Sequence, residues 1–281
     1  MKTLKTSILF TFLLVSMLVN AQIDAFKVSI KGKGQPILLF PGFTCTGDVW
    51  ESAVKELSIN YECHIFTFAG FGDVAPIEKP WLPKIKDAVT SYVHSNNLKD
   101  PIIIGHSLGG TLGLWLTTEE NHPYTKLIVV DALPSTGALM IPNFKSENIT
   151  YDSPWNNQML EMDTESFKTM ATQIAGGMTL NTEKQKQIRD WMIASDRETY
   201  VYGYTDLLKL DLREAIAKIN IPVSILGATH PYGLEGVKTT YTKQYQKLED
   251  YNLEFAEGSA HFIMYDKPEW FLEKVTSYLK E

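Results

Sequence analysis

Beyond residue 20 this chain of 281 residues has no long hydrophobic run, no basic tract or stripe, no internal repeat and no low-complexity segment. The missing run argues against a membrane span in the body of the chain. With 26 Lys and Arg against 33 Asp and Glu, a formal charge of −7, the composition speaks against nucleic acid and anionic membranes as partners. No pair among the 6 histidines has metal-ligand spacing, so neither a metal nor another cofactor is assigned. Cysteine is scarce too: Cys45 and Cys63 are the whole complement. Cys45 lies just past an apolar strand pattern at residues 36–40, whereas Cys63 precedes another at residues 64–68. Were those strands parallel neighbours, the thiols would sit about 15 Å apart by strand rise. A bridge needs Cα atoms within about 7 Å. Two free thiols are expected, Cys63 buried and Cys45 near the site.

What is present begins with Met1-Lys2-Thr3-Leu4-Lys5, an apolar stretch over residues 8–19, and small residues at Val19 and Ala21. This pattern predicts a signal peptide over residues 1–21 with cleavage after Ala21, and hence an exported protein, periplasmic or secreted. An uncleaved anchor is the alternative. The remainder suffices for one large α/β domain that buries roughly three quarters of its extended-chain surface.

Apolar strand patterns recur at residues 26–30, 36–40, 64–68, 101–104, 126–130, 222–226 and 253–255, most of them separated by helical spacing, with a final helix over 268–280. Such alternation predicts a mostly parallel sheet covered on both faces. The glycine turn Lys31-Gly32-Lys33-Gly34 suggests that the first two strands pair. Between 135 and 219 the strand pattern stops. A loop with Pro142 and Pro154 precedes helical stretches at 167–175, 183–194, 199–209 and 212–219. We read this segment as a helical cap over the strands' C-terminal edge, hinged at Gly176-Gly177, on a core of residues 22–134 and 220–281. The alternative is a packing subdomain with no role in selectivity.

The most informative stretch is Ile102-Ile103-Ile104-Gly105-His106-Ser107-Leu108-Gly109-Gly110. It sets a G-x-S-x-G match between a β-branched run and a helix pattern, so Ser107 falls on a tight strand-to-helix turn with its hydroxyl exposed. Gly105 and Gly109 let strand and helix approach, and Gly110 clears the neighbouring strand.

Three segments in order, Phe40-Pro41-Gly42-Phe43, the serine turn, and Gly258-Ser259-Ala260-His261-Phe262, make the chain resemble an α/β-hydrolase with a helical cap, over essentially everything after the leader. The resemblance implies that His261 takes the proton of Ser107, and a carboxylate must hold that imidazole in the right tautomer. His106, inside the turn, is read as pointing away from this partner. Most relatives carry the acid after the next-to-last strand, where this chain has Gly227-Ala228-Thr229-His230-Pro231. An imidazole at His230 adds no negative charge. Asp131, directly after the strand at 126–130, preserves the order Ser107, Asp131, His261 and matches a position some family members use. Glu235, or a dyad with no acid, remain the alternatives, Asp131 then only capping a loop.

Resemblance and turn geometry give the N–H groups of Phe43 and Leu108 as the oxyanion hole. Phe43 and Cys45 would border an apolar acyl pocket, with Trp155, Met159, Met162 and Met170 as walls or as plain cap core. The expected activity is hydrolysis of an ester, less readily an amide or lactone, of a small to medium apolar acyl substrate through an acyl-enzyme on Ser107. From another class comes an inactive binding or sensing protein on the same fold, which His230 would suit.

Overall fold

Residues such as Ile102, Ile103 and Ile104 are apolar without alternation because the sheet that holds them is buried on both faces. Ile103, Leu38, Leu127 and Ile225 contribute to one core, and Ile102, Ile104, Ile37 and Ile128 to the other. A computed structural model describes residues 25–281. The leader expected over residues 1–21 lies outside them. The strands are β1 (Phe26–Lys31), β2 (Gln35–Phe40), β3 (Tyr61–Phe68), β4 (Ile102–His106), β5 (Lys126–Val130), β6 (Val223–Ala228) and β7 (Tyr251–Ala256). They form a 7-stranded sheet in the order β1-β3-β2-β4-β5-β6-β7. Only β1 runs antiparallel to its neighbour.

Helices α1 (Glu51–Leu57) and α11 (Pro268–Lys280) cover one face through Ala53, Val54, Phe271 and Val275. On the other lie α2 (Trp81–Ser95), α3 (Leu108–Thr117) and α9 (Gly233–Gln244), through Ile85, Val89, Leu112 and Tyr241. A four-residue helix, α10 (Ile263–Asp266), precedes α11. Among the described residues no helix is long and apolar enough to cross a membrane.

The opening strands do not pair with each other. β1 pairs with β3, Phe26 opposite Phe68, and β2 lies on the far side of β3. The glycine turn is a crossover rather than a hairpin: a Cβ on Gly32 would stand 2.3 Å from the Tyr61 carbonyl oxygen, and one on Gly34 2.4 Å from that of Asn60. Both cysteines are free and buried, Cys63 inside β3 opposite Ile37.

Between β5 and β6 the described chain is helical: α4 (Thr136–Met140), α5 (Pro154–Glu161), α6 (Thr164–Met178), α7 (Thr182–Ala194) and α8 (Arg197–Lys209). Helix α5 replaces part of the expected loop. Pro154 opens it at a position where a missing N–H costs nothing, and Ser153 caps it by accepting from the Asn156 N–H. Gly176 and Gly177 lie within the last turn of α6 rather than between helices, facing open space. The insertion has its own small core of Met159, Phe167, Ala171, Met192, Tyr200 and Val201, against which Phe43 packs from the sheet side. It therefore sits over the loop that follows β2.

Helix α3 runs so close to the sheet that a Cβ on Gly109 would be 2.3 Å from the Phe40 carbonyl oxygen, a backbone atom with no room to yield. Gly109→Ala should cost about 1–3 kcal/mol in urea unfolding. Gly236→Ala, inside α9 with only Tyr232 Cβ at 3.7 Å, should instead gain up to about 1 kcal/mol.

Candidate active site

Strand β4 hands Ser107 to the start of α3 in a conformation that L-residues rarely adopt, φ 53° and ψ −121°. Strain of this kind persists only where surrounding contacts impose it. Here the Ser107 N–H donates to the Val130 carbonyl at 2.9 Å, and the Ser107 carbonyl accepts from Thr111 N–H at 3.0 Å. The loop after β2 presses on the same turn. A Cβ on Gly42 would lie 2.8 Å from His106 Nδ1 and 3.4 Å from Ser107 Cβ, so only glycine allows the loop this close. Gly42, the residue before Phe43, is thereby brought against Ser107. Among the described residues neither the Phe43 nor the Leu108 N–H is engaged by a backbone partner.

Asp131 leaves β5 with φ 45°. Its Oδ2 accepts from His261 Nδ1 at 2.6 Å, and its Oδ1 accepts from the Ala228 N–H and the Tyr241 hydroxyl, each at 2.7 Å. Burial alone would raise this carboxyl's pKa. The bond and charge of His261 and the Ala228 and Tyr241 donors outweigh that, and the group titrates below its ordinary value. An ionised carboxylate can only accept, so the proton it shares sits on His261 Nδ1. When the ring is neutral, that tautomer leaves the Nε2 lone pair free to accept a proton.

His106 does not point away from this pair. Its ring packs 4.6 Å from that of His261 and 4.5 Å from Phe262, and its Nε2–H donates to the His261 carbonyl at 3.1 Å. Burial pushes its pKa down to about 3, with the neighbouring His261 adding to the effect. It is a neutral donor that joins the serine turn to the histidine loop.

The other sequence candidates fall elsewhere. Glu235 is exposed on the first turn of α9, and His230 is exposed before it. Cys45 is 1% exposed and belongs to the core under β2 with Val49 and Trp50, so its thiol faces that core rather than an open wall. Burial drives its pKa far above the ordinary thiol range. Met159, 3% exposed, is core of the insertion, while Trp155, 43% exposed, lies at its rim with its ring 6.1 Å from Tyr204. Met162 and Met170 are half-buried against the same small core. The aromatic packing around Phe43 comes from Tyr200 and Tyr204 of α8, 5.7 and 5.5 Å away, with Phe71 at 5.1 Å. Neither tyrosine was singled out in the sequence, nor was Tyr241. The helical spacing of Tyr241, Tyr245 and Leu248 after β6 was the available signal for the last. Among the described residues no group of three or more His, Cys, Asp or Glu is arranged to hold a metal ion.

A parallel sheet with one antiparallel edge strand, a strained serine turn after β4 and a helical insertion before the last two strands define the α/β-hydrolase fold. The sequence model of the Alpha/beta hydrolase family matches residues 37–274, and the chain belongs to that family. Among curated proteins it is similar to a pimeloyl-[acyl-carrier protein] methyl ester esterase of Vibrio cholerae, 22% identical over 89% of this chain and 96% of that protein. It is equally similar to 3-oxoadipate enol-lactonase 1 of Acinetobacter baylyi, 22% identical over 94% of this chain and 96% of that one. Among solved structures, an esterase from Exiguobacterium antarcticum superposes with a TM-score of 0.75 at 18% identity, covering 91% of this chain and 96% of its own. These relatives are hydrolases.

The depressed pKa of His106 makes stability depend on pH with a definite sign. Unfolded, the imidazole takes a proton near its ordinary value of about 6.5; folded, it resists protonation down to about 3. Across that window the unfolded chain binds more protons, so stability rises with pH and is lost on acidification. Between pH 6.5 and 4.5 this one group should remove about 2–3 kcal/mol. Urea unfolding at the two pH values should show a correspondingly smaller loss in His106→Phe.

Proposed function

We propose that the protein is a serine hydrolase that cleaves esters, and less readily lactones or amides, of small to medium apolar acyl compounds. The observation that carries this reading is the 2.6 Å bond between Asp131 and His261, in a histidine loop whose His261 carbonyl accepts from His106 of the strained serine turn. In this mechanism His261 Nε2 takes the Ser107 Oγ proton as Oγ attacks the carbonyl carbon. The carbonyl oxygen becomes an oxyanion held by the Phe43 and Leu108 N–H groups. Collapse breaks the bond to the alcohol oxygen, which leaves with the proton from His261. Water then repeats the sequence on the acyl-enzyme, releasing the acid and restoring Ser107.

The aromatic groups around Phe43 suit an apolar acyl chain, and we assign the helical segment at 135–219 the role of a cap over it. The names of the relatives, a methyl ester esterase and an enol-lactonase, agree with acyl-oxygen cleavage. An inactive ligand-binding protein drew its support from His230 in the usual acid position. That support weakens once Asp131 supplies the carboxylate contact and His230 is exposed.

A fluorophosphonate probe should label the wild-type protein at Ser107 and leave Ser107→Ala unlabelled; absence of wild-type labelling from about pH 6 to 9 would sink the reading. With a chromogenic acyl ester, Asp131→Asn should lower kcat by up to about 10⁴-fold, while Glu235→Gln stays at the wild-type rate.

A further inference from the structure

We propose that Asp266 is a positioning residue for His261, and that through it the seating of the helical insertion sets the orientation of the base. The proposal rests on the hydrolytic reading above. The backbone around His261 is held at three consecutive residues from three parts of the molecule. Asp266 Oδ2 accepts from the Ala260 N–H at 2.8 Å, the His261 carbonyl accepts from His106 Nε2–H at 3.1 Å, and the Phe262 N–H donates to the Met178 carbonyl at 3.0 Å. The first anchor comes from α10, the second from the serine turn, the third from the end of α6.

Asp266 does more than close its own loop. Its other oxygen, Oδ1, accepts from the Leu180 N–H at 2.9 Å and from the Thr179 hydroxyl, both in the turn between α6 and α7. Thr179 and Ala260 are buried, at 0% and 1% exposure, so their two bonds are shielded from water, whereas Leu180 is exposed. A carboxylate suits the position because its two oxygens have acceptor sites for all three donors. An amide would aim its NH₂ at one of them.

One side chain thus clamps the residue before His261 to the insertion, and Met178 clamps the residue after it. Releasing the clamp leaves a buried Ala260 N–H unpaired, a cost the loop can relieve only by moving. His261 would then shift against Asp131 and Ser107, and a displacement of about 1 Å in such a constellation costs about 100-fold in rate. Binding of substrate to the site is left largely intact, so the loss should fall on kcat.

The test measures fluorophosphonate labelling rates of Ser107 and kcat and KM on 4-nitrophenyl butyrate, with thermal unfolding run on each variant. Asp266→Ala should slow labelling and lower kcat about 10- to 100-fold with KM changed less than about twofold. Thr179→Val, which removes the insertion's hydroxyl and with it an acceptor for the Asn181 N–H at 3.2 Å, should lower kcat several-fold, Thr179→Ser should restore it, and Thr179→Val should have no further effect on kcat once Asp266 is Ala. A folded Asp266→Ala that labels at the wild-type rate, or a Thr179→Val effect of equal size in both backgrounds, overturns the proposal. Should Asp266→Ala fail to fold, Thr179→Val and Thr179→Ser decide alone, and equal kcat values overturn it. A wild-type serine that takes no label overturns the hydrolytic reading instead, and so separates the two failures.

Discussion

A carboxylate taken out of water must find donors for its lone pairs or give up its charge, and Asp131 meets that condition with donors from three separate elements. Ala228 ends β6, Tyr241 lies on α9, and His261 follows β7. All three come after the insertion in the chain, while Asp131 comes before it. Neighbouring bonds repeat the pattern: the Tyr245 hydroxyl donates to the Ala132 carbonyl at 2.8 Å and the Gln244 amide to that of Ser135 at 3.0 Å. One buried charge therefore ties the two halves of the core together beside His261.

The features legible in the sequence are those with a local steric or polar cause. The serine turn was readable because glycine spacing records how closely β4 and α3 approach. The strands were readable because burial on two faces leaves an unbroken apolar run. Asp131 was narrowed to a candidate by its place after β5 but not separated from Glu235, since the deciding contact to His261 spans 130 residues. The position of His106 was misread for the same reason: its partner lies 155 residues away. The first two strands looked like a hairpin because their turn residues fit one, and only the presence of β3 between them rules it out. Helix α5 was hidden by Pro154, which marks a helix start as readily as a loop. Cys45 was assigned by chain proximity to the site, whereas the thiol turns into the core.

The insertion is attached to the core by polar bonds as well as apolar packing. Pro80 offers no side-chain cap to α2, and the free N–H groups of Trp81 and Leu82 are met instead by Asp206 of α8, at 2.6 and 3.0 Å. The Tyr151 hydroxyl donates to the same carboxylate. With the aromatic contacts of Phe43 on one side and Asp266 on the other, the helical segment is fastened at several separate places around the serine turn. The glycine pair near the end of α6 faces open space, and the attachments through Met178, Thr179 and Leu180 follow directly after it.

The wide separation of serine and histidine along the polypeptide has a bearing on biogenesis. Under the proposed mechanism the Ser107 hydroxyl emerges during synthesis long before its base, so a nascent chain halted anywhere short of β7 carries an unassisted hydroxyl. Contacts this remote in sequence form late, after the loop between them has closed. On that reading chemical competence is deferred until the last strand has docked, and a prematurely terminated product lacks the base for Ser107.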